Sequence, residues 1–194
     1  MIVTAEQLLF EHRNFKDPHH KIQSLVKKGE LIPLKRGLYE TDPKVPGYLL
    51  ANAILGPSYL SFEYALSYHG MIPERVNIYT SASFKKRKTV EITNQFGTYK
   101  YNDVPEKVFP YGYTRVLLNG RPLLIALKEK ALCDQLCAIP PIRGYADFVD
   151  NLFDGLRIDE DIFDELDAGK IYRIAPLYHK TNLDQLVKLL ERRR

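Results

Sequence analysis

The order of structural signals at the start of the chain, two short helices and then a basic hairpin, constrains the fold more than any other feature. The spacing of Thr4 and Gln7 predicts a capping box at the start of a helix that runs to about residue 12. A second helix is predicted over residues 17–29, with a proline in its first turn and a terminal glycine. Residues 31–39 then predict two short strands around a basic turn. This order predicts an N-terminal winged helix-turn-helix.

A proline- and glycine-containing segment at residues 41–47 predicts the only convincing linker. We therefore expect an N-terminal winged helix-turn-helix domain over residues 1–44 and a larger mixed α+β domain over residues 45–194, an α+β fold class overall. The larger domain is predicted from helix signals at 48–55, 61–69 and 128–137, strand signals at 77–83, 89–93 and 97–101, a hairpin at 115–126 around Asn119-Gly120, and C-terminal helices, the last capped by Thr181.

The net charge of +4 conceals an uneven distribution of charge along the chain. Residues 147–169 carry nine acidic side chains and one basic side chain. Residues 13–37 carry seven Lys or Arg against two acids, and a second basic run is Lys85, Lys86, Arg87 and Lys88. This asymmetry favours an anionic partner such as nucleic acid, although a solvated surface explains charge runs as well. The basic run could thus contact nucleic acid, contact an acidic partner, or only solvate a loop.

The second predicted helix has one apolar face and one basic, polar face. Lysines on the polar face would contact DNA phosphates, and shorter polar side chains would reach base edges in the major groove. The turn that follows would act as the wing. The predicted DNA-binding residues are His19, His20, Lys21, Gln23, Ser24, Lys27, Lys28, Lys35 and Arg36. A basic helix that never touches nucleic acid remains the alternative at this point.

The sequence carries none of the common catalytic signatures. It has no glycine-rich phosphate loop, no zinc-protease motif and no nucleophile elbow, so we expect no enzyme activity, cofactor or metal. Cys133 and Cys137 lie in a helical pattern, which predicts buried reduced thiols. No apolar stretch is long enough to span a membrane, and we expect a cytoplasmic protein.

Three segments together resemble a known family. Their sequences are Leu25-Val26-Lys27-Lys28-Gly29-Glu30-Leu31-Ile32 followed by Lys35-Arg36-Gly37-Leu38-Tyr39, then Gly56-Pro57-Ser58-Tyr59-Leu60-Ser61-Phe62-Glu63-Tyr64-Ala65-Leu66-Ser67-Tyr68-His69-Gly70, and Ala126-Leu127-Lys128-Glu129-Lys130-Ala131-Leu132-Cys133-Asp134. In order and spacing they resemble the AbiEi-type antitoxins, the abortive-infection transcriptional regulators of type IV toxin–antitoxin systems used in phage defence.

The resemblance implies a repressor that binds double-stranded DNA at its own promoter, usually at inverted repeats. It also implies a C-terminal domain that counters a nucleotidyltransferase-like toxin encoded next to it. Two alternatives stay open: an enzyme that processes nucleic acid, and an interaction module that binds the toxin without specific DNA binding.

Five residues of the matching segments are interpreted as markers of the fold rather than catalysts. Ser61 is expected to cap a helix and His69 to end it, whereas Glu129, Lys130 and Asp134 fit a surface-and-core pattern on one helix.

Overall fold

The first elements form a small sheet packed with two helices. The computed structural model describes residues 1–118 and 120–193. In chain order the first elements are β1 (Ile2–Thr4), α1 (Ala5–Glu11), α2 (Pro18–Lys27), β2 (Ile32–Lys35) and β3 (Leu38–Glu40). The strands are antiparallel in the order β1-β3-β2, so the last strand lies between the other two.

Side-chain caps fix the ends of both helices. The Gln7 amide N–H donates to Thr4 Oγ1 over 3.2 Å, and the Thr4 amide N–H donates to Gln7 Oε1 over 2.8 Å, which confirms the predicted capping box. Asp17 accepts the His20 amide N–H at the start of α2. Gly29 follows α2 with a φ of +74°, a backbone conformation that residues other than glycine rarely adopt.

The rest of the chain forms a six-stranded mixed sheet and a C-terminal group of helices. After a 3₁₀ turn at Gly47–Leu50, the elements are α3 (Ala51–Ile54), β4 (Tyr59–Leu60), α4 (Phe62–Tyr68), β5 (Ile78–Ser83), β6 (Val90–Asn94), β7 (Gly97–Asp103), β8 (Tyr113–Leu118), β9 (Arg121–Ala126) and α5 (Lys128–Ala138). The C-terminal elements are α6 (Tyr145–Asp150), a π-helical turn at Asn151–Gly155, α7 (Glu160–Asp164), α8 (Ala168–Ile174), a 3₁₀ turn at Ala175–Tyr178 and α9 (Thr181–Arg193).

The six strands lie in the order β6-β7-β5-β4-β9-β8. Strand β5 pairs in parallel with β7, and β4 with β9, whereas the remaining neighbours are antiparallel. The two-residue strand β4 therefore lies inside the sheet and joins its two halves. The mixed α+β class predicted from the sequence is confirmed.

The β8–β9 pairing agrees with the predicted hairpin. Its register runs from Tyr113 opposite Ala126 to Leu118 opposite Arg121. The predicted turn was Asn119-Gly120, of which Asn119 lies outside the described residues. Gly120 has a φ of +74°, as a tight hairpin turn requires.

The hairpin β2–β3 contributes to two hydrophobic clusters. The small cluster consists of the buried side chains of Val3, Leu8, Ile22 and Leu31, and it holds α1 and α2 against the first sheet. Leu34 and Leu38 instead belong to the main core, which extends through the six-stranded sheet and the C-terminal helices. The first elements are thus packed directly onto the rest of the chain.

A buried carboxylate also joins the two sheets. Glu40, at the end of β3, has a fully buried side chain that accepts hydrogen bonds from both terminal nitrogens of Arg121 in β9, the shorter at 2.7 Å. The Met1 ammonium group contacts the same carboxylate. Burial acts to raise the pKa of Glu40, but the Arg121 guanidinium, the Met1 ammonium and the Asp42 amide N–H outweigh it. The pKa of Glu40 is therefore lowered from 4.5 to about 2.

The structure differs from the sequence predictions in several details. Strands β1 and β4 were not predicted, because runs of three and two residues are too short for a periodic pattern. The predicted helix over 48–55 is a 3₁₀ turn followed by the short α3. Thr181 is the first residue of α9 rather than its cap.

We predict that Glu40→Gln destabilises the protein at neutral pH but progressively less in acid. Because the folded-state pKa is lowered, the carboxylate contributes stability above pH 4.5, and this contribution disappears as the pH falls towards about 2. Urea unfolding should show a loss of about 2–3 kcal/mol at pH 7 and a shrinking difference below about pH 4.5. Glu91→Gln, at an exposed position of β6, is the control and should change little at either pH. A loss for Glu40→Gln that is the same at every pH would contradict this account.

Candidate nucleic-acid interface

Helix α2 presents most of the predicted DNA-binding side chains to solvent. Its inward face is anchored by Ile22, which is buried in the small cluster with Leu25 and Val26 packed beside it. Of the predicted contacts on α2, five are exposed (His19, His20, Gln23, Lys27 and Lys28), and Lys21 and Ser24 are half-buried. At about 100° per residue, His20, Ser24, Lys27 and Lys28 share the face opposite Ile22. Lys21 and Gln23 lie about 100° to either side of Ile22, and His19 lies about 60° from it, at the edge.

The predicted wing is fixed against the start of α1. Lys35 and Arg36 are exposed at the turn between β2 and β3, and Gly37 completes this turn with a φ of +76°. The Gly37 carbonyl oxygen accepts the Ala5 amide N–H over 2.9 Å. The wing therefore has a defined position relative to the helix pair.

The cations of this surface have no internal counter-charge. Among the described residues, no ion pair involves Lys21, Lys27, Lys28, Lys35 or Arg36. Lys21 Nζ lies 5.2 Å from the ring centroid of Phe15, which is itself half-exposed. Because unpaired surface cations are not neutralised within the protein, they are available to phosphates.

The second basic run lies in a loop that is held in place by one carboxylate. Asp103 Oδ2 accepts the amide N–H groups of Lys86 and Arg87, each over 2.7 Å. Lys85 forms an ion pair with Glu106. Of this run, Lys86 is half-buried and Lys85, Arg87 and Lys88 are exposed.

The two basic regions lie at opposite ends of β6. The loop of residues 85–88 precedes Val90, the first residue of β6, whereas Asn94, the last, donates to the Leu34 carbonyl oxygen in β2 over 3.1 Å. A strand of this length spans about 14 Å at 3.4 Å per residue. The structure therefore does not merge the run Lys85–Lys88 with the α2 surface into one continuous patch.

The second and third matching sequence segments meet elsewhere, in a buried polar network around Asp134. One carboxylate oxygen accepts from Tyr59 Oη (3.1 Å) and Ser61 Oγ (2.7 Å). The other accepts from Lys130 Nζ (2.9 Å) and Tyr178 Oη (2.6 Å). The side chains of Lys130 and Asp134 are both fully buried. This network joins β4, the start of α4, α5 and the 3₁₀ turn before α9.

The network corrects two of the sequence interpretations. Ser61 stands at the N-terminal end of α4, but its side chain caps nothing because its hydroxyl donates to Asp134. The sequence predicted a helix with one surface side, but Lys130 and Asp134 are both buried because α5 is enclosed on almost every side. His69 does end α4, and its Nε2 lies 2.7 Å from the Ala126 carbonyl oxygen.

The surroundings of Asp134 keep nearby groups protonated. Burial, and then the charge of Asp134, raise the pKa of the Tyr59 and Tyr178 hydroxyls well above the usual value, so both remain hydrogen-bond donors. The same causes raise the pKa of the Cys133 thiol, and burial raises that of Cys137. Both cysteines are free, as the sequence predicted.

The acidic segment 147–169 contributes mainly local structural contacts. Asp159 and Asp167 cap α7 and α8, and Arg193 pairs with Glu160 and Asp164. Further ion pairs join Glu165 to Lys128 and Asp167 to Lys170. This segment is therefore partly neutralised within the protein.

Two other kinds of feature are absent from the described residues. Within residues 1–118 and 120–193, no three His, Cys, Asp or Glu side chains group around a possible metal position. In the same residues, no helix combines the length and apolar character of a membrane span. In comparisons with known proteins, the chain matches no family model and no curated protein.

Helix α2, the β2–β3 hairpin and the basic exposed side of both were predictable from the sequence, but the buried network was not. The spacing of Lys130 and Asp134 is that of an ordinary surface pair on a helix. The available signal was the apolar character of the intervening and following residues, Ala131, Leu132, Cys133 and Leu136, which leave no solvent-facing side for the pair.

We predict that Asp134→Asn destabilises the protein by about 3–5 kcal/mol, because it leaves the Lys130 ammonium buried without a counter-charge. Urea unfolding at neutral pH measures this loss. The matched control is Glu165→Gln, which removes a carboxylate from the solvent-exposed pair with Lys128 and should cost less than about 1 kcal/mol. Equal small losses for the two variants would show that the network does not hold the fold together.

Proposed function

We propose that residues 1–44 form a minimal winged helix-turn-helix and that the protein is a DNA-binding transcriptional repressor. The observation that carries this proposal is the solvent-facing surface of α2 and the adjoining turn, which presents five cations without ion pairs among the described residues. The order helix, helix, hairpin and the antiparallel sheet β1-β3-β2 support it.

Each class of side chain on this surface has a distinct proposed role. Lys21, Lys27, Lys28, Lys35 and Arg36 bind phosphates and supply affinity that does not depend on sequence. His20 and Ser24 occupy the middle of the polar face of α2, Gln23 lies at its side, and the three read base edges in the major groove. His19 at the edge of this face contacts the DNA backbone.

We further propose that the repressor is the antitoxin of a type IV abortive-infection system and acts on its own promoter. The three sequence segments that resemble AbiEi-type antitoxins support this proposal. Two of them contribute to a single network, because the second supplies Tyr59 and Ser61, and the third supplies Lys130 and Asp134. The partner of this function is the nucleotidyltransferase-like toxin encoded next to it.

Replacing Lys27, Lys28 and Arg36 with alanine should weaken binding to the promoter DNA and leave the fold intact, because all three side chains are exposed and unpaired. In a plot of the logarithm of affinity against the logarithm of salt concentration, each lost phosphate contact makes the slope less steep by about 1. Fluorescence anisotropy across a salt series should therefore show a slope reduced by about 3.

The matched control replaces Lys86, Arg87 and Lys88 with alanine. It also removes two lysines and one arginine, but from the other end of β6. This control should bind promoter DNA as the unmodified protein does. An unchanged affinity for the α2–wing variant, or an equal loss for the control, would exclude α2 and the wing as the docking surface.

The antitoxin proposal predicts that co-expression of this chain restores growth to cells that express the neighbouring toxin. The α2–wing variant should lose repression of a promoter fusion but still restore growth, because the resemblance assigns neutralisation to the C-terminal domain. Growth that is not restored by the unmodified protein would contradict the antitoxin role while leaving DNA binding untouched.

A further inference from the structure

A polar pocket with no lining residue from α2 lies between the loop of residues 85–88 and the end of α5. It has a volume of about 470 Å³, within the range of about 300–1,000 Å³ usual for small-molecule sites. One wall consists of Arg87, Lys88 and Lys100. The opposite wall is formed by the C-terminal turn of α5, including Ala138 and Ile139.

The wall on α5 contains a buried acceptor without a partner. Gln135 lines the pocket and is only 5% exposed. Its Nε2 donates to Glu63 Oε1 over 3.1 Å, which fixes the orientation of the amide. Its Oε1 has no hydrogen-bond partner among the described residues. A buried acceptor without a donor is costly, and this oxygen has almost no exposed surface, so a ligand N–H that reached it through a small shift of the Gln135 side chain would be stabilised.

The opposite wall carries a positive charge that is not neutralised within the protein. Among the described residues, no ion pair involves Arg87, Lys88 or Lys100. Asp103 also lines the pocket, but its two oxygens already accept from Ser83 Oγ and from the amide N–H groups of the loop. The loop that presents Arg87 is thereby held in one position. A phosphate group fits this wall because it accepts from several charged donors at once.

We propose that this pocket binds a nucleoside phosphate, either free or as a residue of a single-stranded RNA. The phosphate lies against Arg87, Lys88 and Lys100, and a base N–H donates to Gln135 Oε1. The alkyl groups of Ala138 and Ile139 pack against the face of the base. The site is separate from α2 and does not depend on the proposed DNA binding.

Titration calorimetry of the full chain with adenosine monophosphate, cytidine monophosphate and inorganic phosphate tests this site. Both nucleotides should bind more tightly than inorganic phosphate, since only they offer a base to Gln135. Arg87→Ala and Lys100→Ala should each weaken nucleotide binding about tenfold, the usual effect of losing a hydrogen bond to a charged group. Lys107→Ala, an exposed lysine outside the pocket lining, is the control and should bind normally.

The substitution Gln135→Leu separates recognition of the base from recognition of phosphate. It should weaken nucleotide binding and leave binding of inorganic phosphate unchanged, with the unfolding midpoint showing that each variant is folded. A short single-stranded oligoadenylate RNA that binds more tightly than the mononucleotide identifies a strand as the ligand, and equal affinity identifies the free nucleotide.

The proposal is overturned if neither nucleotide binds, if inorganic phosphate binds as tightly as both, or if Lys107→Ala loses as much affinity as the pocket variants. The variant that lacks Lys27, Lys28 and Arg36 should retain nucleotide binding. Failure of the pocket proposal and failure of the DNA-binding proposal are therefore distinguishable.

Discussion

The larger part of the structure depends on the hydrogen bonds that the buried carboxylate of Asp134 accepts. It accepts four hydrogen bonds at the centre of the molecule, from side chains on β4, α4, α5 and the turn before α9. A buried ion pair contributes little net stability compared with apolar packing, but the loss of either partner is strongly destabilising. The network therefore ties the sheet at β4 to the start of α4, to α5 and to the turn before α9.

The N-terminal elements depend on this larger body. Their own cluster contains four buried hydrophobic side chains, which is too small a core to hold a sheet and two helices in place. Leu34, Leu38 and the Glu40–Arg121 ion pair supply the remaining contacts. These contacts hold α2 and the β2–β3 turn against the larger body, and among the described residues Lys21, Lys27, Lys28, Lys35 and Arg36 form no ion pair. A surface of unpaired cations on a fixed support is what the binding of a DNA backbone requires.

Local features were predictable from the sequence where a short-range signal controlled them. The capping box at Thr4, the glycine after α2 and the β8–β9 hairpin each depend on neighbours in sequence. Strand β4 and the Asp134 network could not be predicted, because both depend on residues more than forty positions apart. The candidate surface followed from helical periodicity alone, whereas the Gln135 pocket combines a helix with a distant loop that no sequence pattern connects.

The measurement that tests the central proposal most directly is the binding of the unmodified protein to the DNA upstream of its own gene, compared with scrambled DNA across a salt series. The proposed base-reading side chains of α2 predict tighter binding to the upstream DNA than to scrambled DNA, and the five proposed phosphate-binding cations predict a log–log salt slope of about −4 to −6. Weak binding that is equal for both DNAs would contradict a sequence-specific repressor and leave α2 as a charged, solvated surface.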